Sequence, residues 1–221
     1  MSKLNSKRSG CVDVFHAFLV ADASYEGTPE MPVMAAVSEV PVRVIPFSKA
    51  MQSQDYGQWV HFYEDDVKFE RFWNQPERYL DRLSKFEGLI SPDFSLWVDM
   101  PEPQQIWNTY RNRAMGHWLQ SQGLKVIPNV RFSDERSYRY CFNGVPRHAT
   151  VCVGSHGLMK AKRDCEMFKK GLIETLDRLA PTCLLVYGTA PKDVFSPEIM
   201  GEVPLIVYPS EFALSRSEVT R

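Results

Sequence analysis

The stretch Leu89-Ile90-Ser91-Pro92-Asp93-Phe94-Ser95 indicates the fold class, because polar side chains begin where an apolar strand core ends. The same pattern recurs in Val126-Ile127-Pro128-Asn129-Val130-Arg131 and in Val151-Cys152-Val153-Gly154-Ser155-His156-Gly157. In open α/β sheets and in barrels, ligands bind outside the carboxyl ends of parallel strands. We therefore expect four polar side chains to converge on one pocket: Asp93, Asn129, Arg131 and His156.

Apolar strand cores alternate with amphipathic helices along the rest of the chain, a pattern that favours a mainly parallel α/β sheet. The predicted strands cover residues 59–63, 89–94, 125–130, 149–153, 184–187 and 205–208. The predicted helices cover residues 64–73, 74–88, 102–122 and 162–179. The fold class is thus α/β, in a single domain whose sheet is flanked by helices. Strand order is invisible in sequence, so a doubly wound sheet and an incomplete barrel both stay open.

The chain divides into four predicted parts. Residues 1–10 are polar and are expected to form a disordered tail. Residues 11–58 are interrupted by prolines, which favours an irregular N-terminal extension packed on the main domain. Residues 59–212 form the α/β domain, and residues 213–221 form a C-terminal tail.

Composition excludes several classes of protein. The chain has 221 residues, of which 44% are hydrophobic, and this is enough for a folded core. A net charge of −1 does not favour nucleic acid as a partner, although a local basic patch would leave it open. No apolar run approaches the ~18 residues of a membrane span. The five cysteines include no C-x-x-C pair, which indicates reduced thiols in a cytoplasmic protein.

Asp93 and His156 are the candidate catalytic residues. A carboxylate at a strand end could act as a base, a metal ligand or a hydrogen-bond acceptor. Asp93 and Ser95 could instead satisfy backbone groups of a turn. Glycines flank His156 and favour its exposure, whereas His61 alternates into a strand and is expected to be packed. Ser155 does not form a dyad with His156, because adjacent side chains diverge and no G-x-S-x-G elbow occurs.

The helical segment Asn108-Thr109-Tyr110-Arg111-Asn112-Arg113 is unusually polar. Arg111 follows Trp107 by four residues, so it should border the buried stripe of the helix. It could clamp a phosphate or carboxylate, or pair structurally with a nearby acid: Asp93, Asp99 or Glu102. The candidate substrate-binding residues are Ser95, Asn108, Arg111, Asn129, Arg131, Ser155 and Tyr187.

No metal ligand or cofactor is assigned. Asp134 and Glu135 are expected to lie in the first turn of a short helix capped by Ser133. If Asp93 joined them, the three carboxylates could bind a hard divalent cation. Neither G-x-G-x-x-G nor G-x-x-x-x-G-K-[ST] occurs, so a conventional dinucleotide site or P-loop is not expected.

Several linked motifs resemble an uncharacterised family, known only as a domain of unknown function, from bacteriophages, plasmids and other bacterial mobile elements. The matching stretches are Ile45–Ala50, Ile90–Ser95, Ile106–Arg113, Val126–Arg131, Asp134-Glu135, Gly154–Gly157 and Tyr187-Gly188. Ser155 stands where this family has threonine, a departure that keeps the hydroxyl group. The resemblance implies a bacterial or phage setting and brings no activity with it.

Three functions follow from these residues. The first is an enzyme acting on a nucleotide or another phosphate-bearing substrate, with Arg111 and Arg131 as anion clamps. The second is a protein that binds a small anionic ligand without chemistry. The third is a module that contacts host replication or defence proteins through exposed aromatic side chains such as Trp59, Trp73 or Trp97.

Overall fold

A computed structural model describes residues 13–213 of the chain. Residues 1–12, which include the predicted disordered tail and Cys11, lie outside the described residues, as does the predicted C-terminal tail from residue 214 onward. The described part begins with a 3₁₀ turn at Ala17–Val20 and an antiparallel pair of short strands, β1 (Tyr25–Glu26) and β2 (Met31–Pro32).

Seven parallel strands follow, and their order in space is their order in sequence. They are β3 (Val44–Pro46), β4 (Trp59–His61), β5 (Gly88–Ile90), β6 (Val126–Ile127), β7 (Thr150–Gly154), β8 (Cys183–Tyr187) and β9 (Leu205–Tyr208). Strands β3 to β6 pair in one sheet and β7 to β9 in another. A parallel bridge between Asn129 and Cys152 joins the two sheets, and the N–H of Val130 donates to the Cys152 carbonyl at 2.8 Å.

Helices occupy most of the connections between these strands. They are α1 (Phe47–Ala50), α2 (Asp66–Asn74), α3 (Glu77–Leu83), α4 (Glu102–Ser121), α5 (Lys162–Leu179) and α6 (Pro197–Met200), with a 3₁₀ helix at Glu135–Arg139. In this 3₁₀ helix Asp134 is the N-cap, and its side chain accepts from the N–H of Arg136. The prediction that Ser133 caps this helix is wrong. Asp134 takes that position, and the N–H of Ser133 donates to the Ser137 hydroxyl.

Side chains on each strand alternate between two apolar environments. On β8, Cys183, Leu185 and Tyr187 face an inner cluster, whereas Leu184 and Val186 belong to an outer cluster packed against helices. The inner cluster draws one or more side chains from every strand between β4 and β9: Trp59, Ile90, Ile127, Cys152, Cys183, Leu185, Tyr187 and Tyr208. Distant strands also come into direct contact, since the ring of Tyr63, just after β4, lies 4.8 Å from that of Tyr187 on β8. The sheet therefore curls, and the fold is an incomplete barrel.

The seam of the barrel lies between β9 and β3. The Tyr208 hydroxyl on β9 donates to the Pro41 carbonyl at 2.5 Å, three residues before β3. Within residues 13–213, β9 and β3 form no strand pair. Trp59 fills the interior beside β5, where a side chain on Gly88 would lie 2.5 Å from the indole ring.

The predicted α/β class, the parallel sheet and the irregular N-terminus are confirmed, and of the two arrangements left open the barrel is the one observed. Strand β5 stops at Ile90, short of the predicted 89–94, and residues 91–97 run on outside the ladder. Strand β3 lies inside the segment predicted to be an irregular extension. Pro46 is the last residue of that strand and has no N–H group to donate. A proline at this position makes the sequence of the segment resemble an irregular connection.

Two expectations from composition concern membrane-spanning helices and cysteines. None of the helices in the 13–213 range is sufficiently long and apolar to cross a bilayer. Cys141, Cys152, Cys165 and Cys183 are free thiols in this part of the chain. Burial raises the pKa of Cys141 and of Cys152 to about 12, so neither thiol ionises readily as a nucleophile.

Candidate functional site

A cavity of about 700 Å³ opens at the carboxyl end of the barrel. Each of the seven parallel strands contributes a residue at or just after its end: Pro46, Tyr63, Asp93, Arg131, Gly154, Tyr187 and Ser210. Parallel strands in sequential order place all their carboxyl ends at one rim, which explains how residues so distant in sequence come together.

Asp93 lies at the floor of this cavity, with only 8% of its surface exposed. Its Oδ1 accepts a hydrogen bond from Asn129 Nδ2 at 2.8 Å, and its Oδ2 accepts from Arg131 Nη1 at 3.2 Å. Both partners follow β6, the strand beside β5. The carboxyl group is therefore held on both oxygens by a neighbouring strand end.

Tyr63 extends this arrangement across the cavity. Its hydroxyl donates to Asn129 Oδ1 at 2.9 Å, so Asn129 bridges the phenol and the carboxyl group of Asp93. The ring of Tyr63 stacks on that of Tyr187, with centroids 4.8 Å apart and planes 8° from parallel. The hydrogen-bonded chain Tyr63–Asn129–Asp93–Arg131 thus crosses the floor, and we call it the floor chain.

Burial sets the ionisation of the floor. Desolvation raises the pKa of Asp93, and the opposing effects of the Arg131 charge and the Asn129 hydrogen bond are smaller. Desolvation also raises the pKa of Tyr63 well above 10, so its hydroxyl stays a donor. Beneath them, burial lowers the pKa of His61 to about 3, and its neutral ring accepts from the N–H of Tyr63 at 3.2 Å.

Two glycines make room for the site. A side chain on Gly154, at the end of β7, would lie 2.8 Å from the ring of Tyr63. Gly188, after β8, has a φ of 127°, and a Cβ there would lie 2.6 Å from the Ser155 hydroxyl oxygen. A larger residue at either position would displace the strand-end residues that form the rim.

A buried polar layer supports the floor chain from behind. The Ser91 hydroxyl accepts from the N–H of Asn129 at 2.8 Å and donates to Asn112 Oδ1 at 3.1 Å. Asn112 Nδ2 donates to the Pro92 carbonyl at 2.5 Å, which fixes the chain just before Asp93. The Arg113 guanidinium, only 1% exposed, donates to the carbonyl groups of Asn129, Cys141 and Asn143. The polar segment of α4 therefore positions backbone around the site.

Five of the predicted site residues line the cavity: Asp93, Ser95, Arg131, His156 and Tyr187. Asn129 lies directly behind the lining, fully buried and bonded to Asp93. Ser95 donates through its hydroxyl and its N–H to the carboxylate of Asp66, at 2.9 and 3.2 Å. The exposed ring of His156 stands at the rim.

The structure does not bring Arg111 or Asn108 into the cavity. Arg111 donates to both carboxylate oxygens of Glu70, at 2.7 and 2.9 Å, and its guanidinium carbon lies 3.9 Å from the Phe94 ring centroid. Asn108 donates to the Ser95 carbonyl at 2.7 Å. Arg111 therefore lies outside this cavity, with its charge engaged on α2. Its ion-pair partner, Glu70, is none of the three acids considered in the sequence.

Ser155 is also absent from the cavity lining. Its hydroxyl donates to the Thr189 carbonyl at 2.6 Å and accepts from the Thr189 N–H at 2.9 Å. It is fully buried, and it fastens the loop after β7 to the loop after β8. Asp134 and Glu135 do not join Asp93 either, because they pair with Arg136 and Lys170. Within residues 13–213, His, Cys, Asp and Glu side chains form no group of three placed to hold a metal.

Sequence reasoning overlooked one side of the cavity. Residues that line it without having been predicted include Tyr63, Glu64, Asp65, Asp66 and Trp97. Four of them directly follow β4, so the rule that identified Asp93 would have found them too. The acidic run was interpreted as the start of a helix, and α2 does begin at Asp66 with Asp65 as its N-cap, although the Asp65 side chain makes no capping hydrogen bond. Trp97 is 61% exposed, whereas Trp59 and Trp73 are buried.

Comparison with known proteins gives a family and phage relatives. The chain is 36% identical over 187 residues to the Gene 1 protein of Mycobacterium phage L5, covering 83% of this chain and 80% of that protein. It is 43% identical over 132 residues to the Gene 1 protein of Mycobacterium phage D29, covering 60% of this chain but about half (49%) of that protein. No solved structure matches the chain. Residues 23–202 match the family described as "Domain of unknown function (DUF4417)", and the chain belongs to this family, as its motifs predicted.

Proposed function

We propose that the cavity at the carboxyl end of the barrel is the active site of an enzyme in which Asp93 transfers a proton. One observation carries the proposal. A buried carboxyl group of raised pKa lies at the floor of a cavity of about 700 Å³, a volume typical of small-molecule sites. A carboxyl group with a raised pKa exchanges its proton nearer to neutral pH than an exposed aspartate does, as a general acid or base requires.

The floor chain gives Asp93 the setting that this role needs. Arg131 places a positive charge 3.2 Å from one carboxylate oxygen, so it stabilises the anion that forms when the proton leaves. Asn129 holds the other oxygen and fixes the orientation of the group. His156 at the rim is the candidate partner for a second proton transfer, on the opposite side of a bound substrate.

The charges of the lining favour a neutral or positively charged substrate. Carboxyl groups outnumber basic groups: Glu64, Asp65, Asp66, Asp93 and Glu211 face the cavity with Lys68 and Arg131. Arg131 is already paired with Asp93, and Arg111 lies elsewhere. Neither of the two arginines that suggested a phosphate-bearing substrate is therefore placed to bind a phosphate group in this cavity.

The second candidate is a binding protein without chemistry. One specific observation favours it: each oxygen of Asp93 already accepts a hydrogen bond within the protein, so the carboxyl group has structural partners without a substrate. A ligand would then be held by the cavity walls and leave unchanged.

The decisive experiment incubates the purified chain with a small-molecule extract of bacterial cells and follows each compound by mass spectrometry. We expect at least one compound to be consumed, and the rate to fall about 100-fold or more in Asp93→Asn. Asp81→Asn is the matched control, because this side chain is 92% exposed. Consumption at the parent rate by Asp93→Asn contradicts the proton-transfer role. If nothing is consumed and denaturation releases an intact compound, the binding function is correct.

A further inference from the structure

A second, smaller cavity adjoins the first. It measures about 170 Å³, and both cavities are lined by Trp97 and Arg131. Its remaining lining is mostly apolar and comes from the segment around Leu96, the chain after β6 and the start of α5: Leu96, Val98, Phe132, Leu158, Met167 and Phe168. We call this space the annex. Ser133 and Asp164 are its other polar members.

The annex differs from the main cavity in chemistry. Five carboxyl groups line the main cavity, whereas aliphatic and aromatic side chains dominate the annex. Its size is informative, because a cavity of about 150 Å³ lined by aliphatic and aromatic side chains holds a molecule of benzene. A single six-membered ring would therefore fill the annex.

The two spaces share two lining side chains. Arg131 lines both, and its Nη1 donates to Asp93. Trp97 lines both spaces beside this arginine and offers an exposed aromatic face.

We infer that the ligand of this protein is bipartite: a polar part faces Asp93, and one ring-sized apolar group enters the annex past Trp97 and Arg131. This inference rests on the proposed function only in taking the main cavity as the substrate site. It deepens that proposal by making the annex the determinant of specificity.

The test measures the affinity of the whole chain for two probes by ligand-observed NMR. Benzamide carries a ring and an acceptor, whereas acetamide carries the acceptor alone. We expect benzamide to bind at least tenfold more tightly than acetamide. Met167→Trp and Leu158→Phe each place extra side-chain volume in the annex, and each should abolish this preference. Ile173→Trp is the control, because Ile173 is an exposed residue of α5 outside the annex.

Equal affinity for the two probes overturns the inference, and so does a preference for benzamide that survives both filling variants. Probe binding does not require turnover, so its outcome is independent of the Asp93→Asn result. If the parent chain consumes a compound and Met167→Trp and Leu158→Phe consume it at the same rate, the annex plays no part while the proposed function stands.

Discussion

The ring of His61 on β4 lies 4.3 Å from the ring of Tyr187 on β8, although three strands separate β4 from β8 in the sheet. This contact spans the barrel interior directly beneath the cavity. The two rings cover the inner side of the floor chain with aromatic surface, so its polar groups are shielded from water on that side. The perturbed ionisation of the floor follows from this closure.

His61 should make the fold sensitive to acid. Its pKa is about 3 in the folded chain, so between pH 6.5 and 3 the unfolded state binds a proton that the folded state does not. Stability should fall as the pH drops through this range, by about 4–5 kcal/mol in full. In His61→Phe, unfolding between pH 6.5 and 3 should take up nearly one proton fewer, so the unfolding free energy should depend less on pH. Urea denaturation at several pH values measures this dependence. His148→Gln changes an exposed histidine and serves as the control variant.

Asp93 should act in the opposite direction. Because its pKa is raised by folding, the folded state binds more protons than the unfolded state just above pH 3.8, and stability falls as the pH rises through that window. Asp93→Asn removes this loss of stability, so we expect the melting temperature of the variant to exceed that of the parent at pH 7. The difference between the two melting temperatures should become smaller toward pH 4. A variant that is less stable at pH 7 would mean that Arg131 outweighs burial.

Gly154→Ala should damage the site through Tyr63. The added methyl group would lie 2.8 Å from the phenol ring, which would have to leave its hydrogen bond with Asn129. We expect the unfolding free energy to fall by about 1–3 kcal/mol and ligand affinity to fall with it. Gly57→Ala is a suitable control, because its methyl group would meet only the ends of side chains, of which the nearest is the exposed Arg43 at 3.3 Å. Unchanged affinity in Gly154→Ala would show that Tyr63 does not contribute to binding.

Arg111 and Arg131 should separate stability from binding. Arg111→Gln breaks the ion pair with Glu70 and the packing on Phe94, which should lower the unfolding free energy by about 1–3 kcal/mol without affecting any ligand. Arg131→Gln changes the junction of the two cavities and should weaken binding of the benzamide probe. If Arg111→Gln abolished binding at full stability, the clamp role first inferred from sequence would be restored.

The sequence predicted the strand ends well, because a polar residue after an apolar core is a local signal. Asp93, Arg131 and Tyr187 were found in this way and share the cavity. Strand order is not a local property, so the curl of the sheet and the contact of His61 with Tyr187 were beyond sequence reasoning. Tyr63 was predicted to be the last residue of the strand 59–63, whereas β4 ends at His61 and Tyr63 lies just beyond it.

The polar helix α4 shows a different limit. Successive residues on a helix are rotated by about 100°, so Arg111 and Asn112 point to different neighbours. Arg111 meets α2, whereas Asn112 meets the chain before Asp93. Both faces of α4 are covered, and its polar residues are buried on each side. Periodicity reveals a helix with one apolar face, but it cannot say which polar residue of a doubly covered helix faces the site.

The sequential strand order also constrains how the chain folds while the ribosome synthesises it. The rim takes its parts from Tyr63, Asp93, Arg131, Gly154 and Tyr187, in the order in which they are synthesised. Early strands can pair with their neighbours as they emerge, but the stacked partner of Tyr63 arrives only with β8. A nascent chain can therefore form much of its sheet before the cavity at the strand ends is complete.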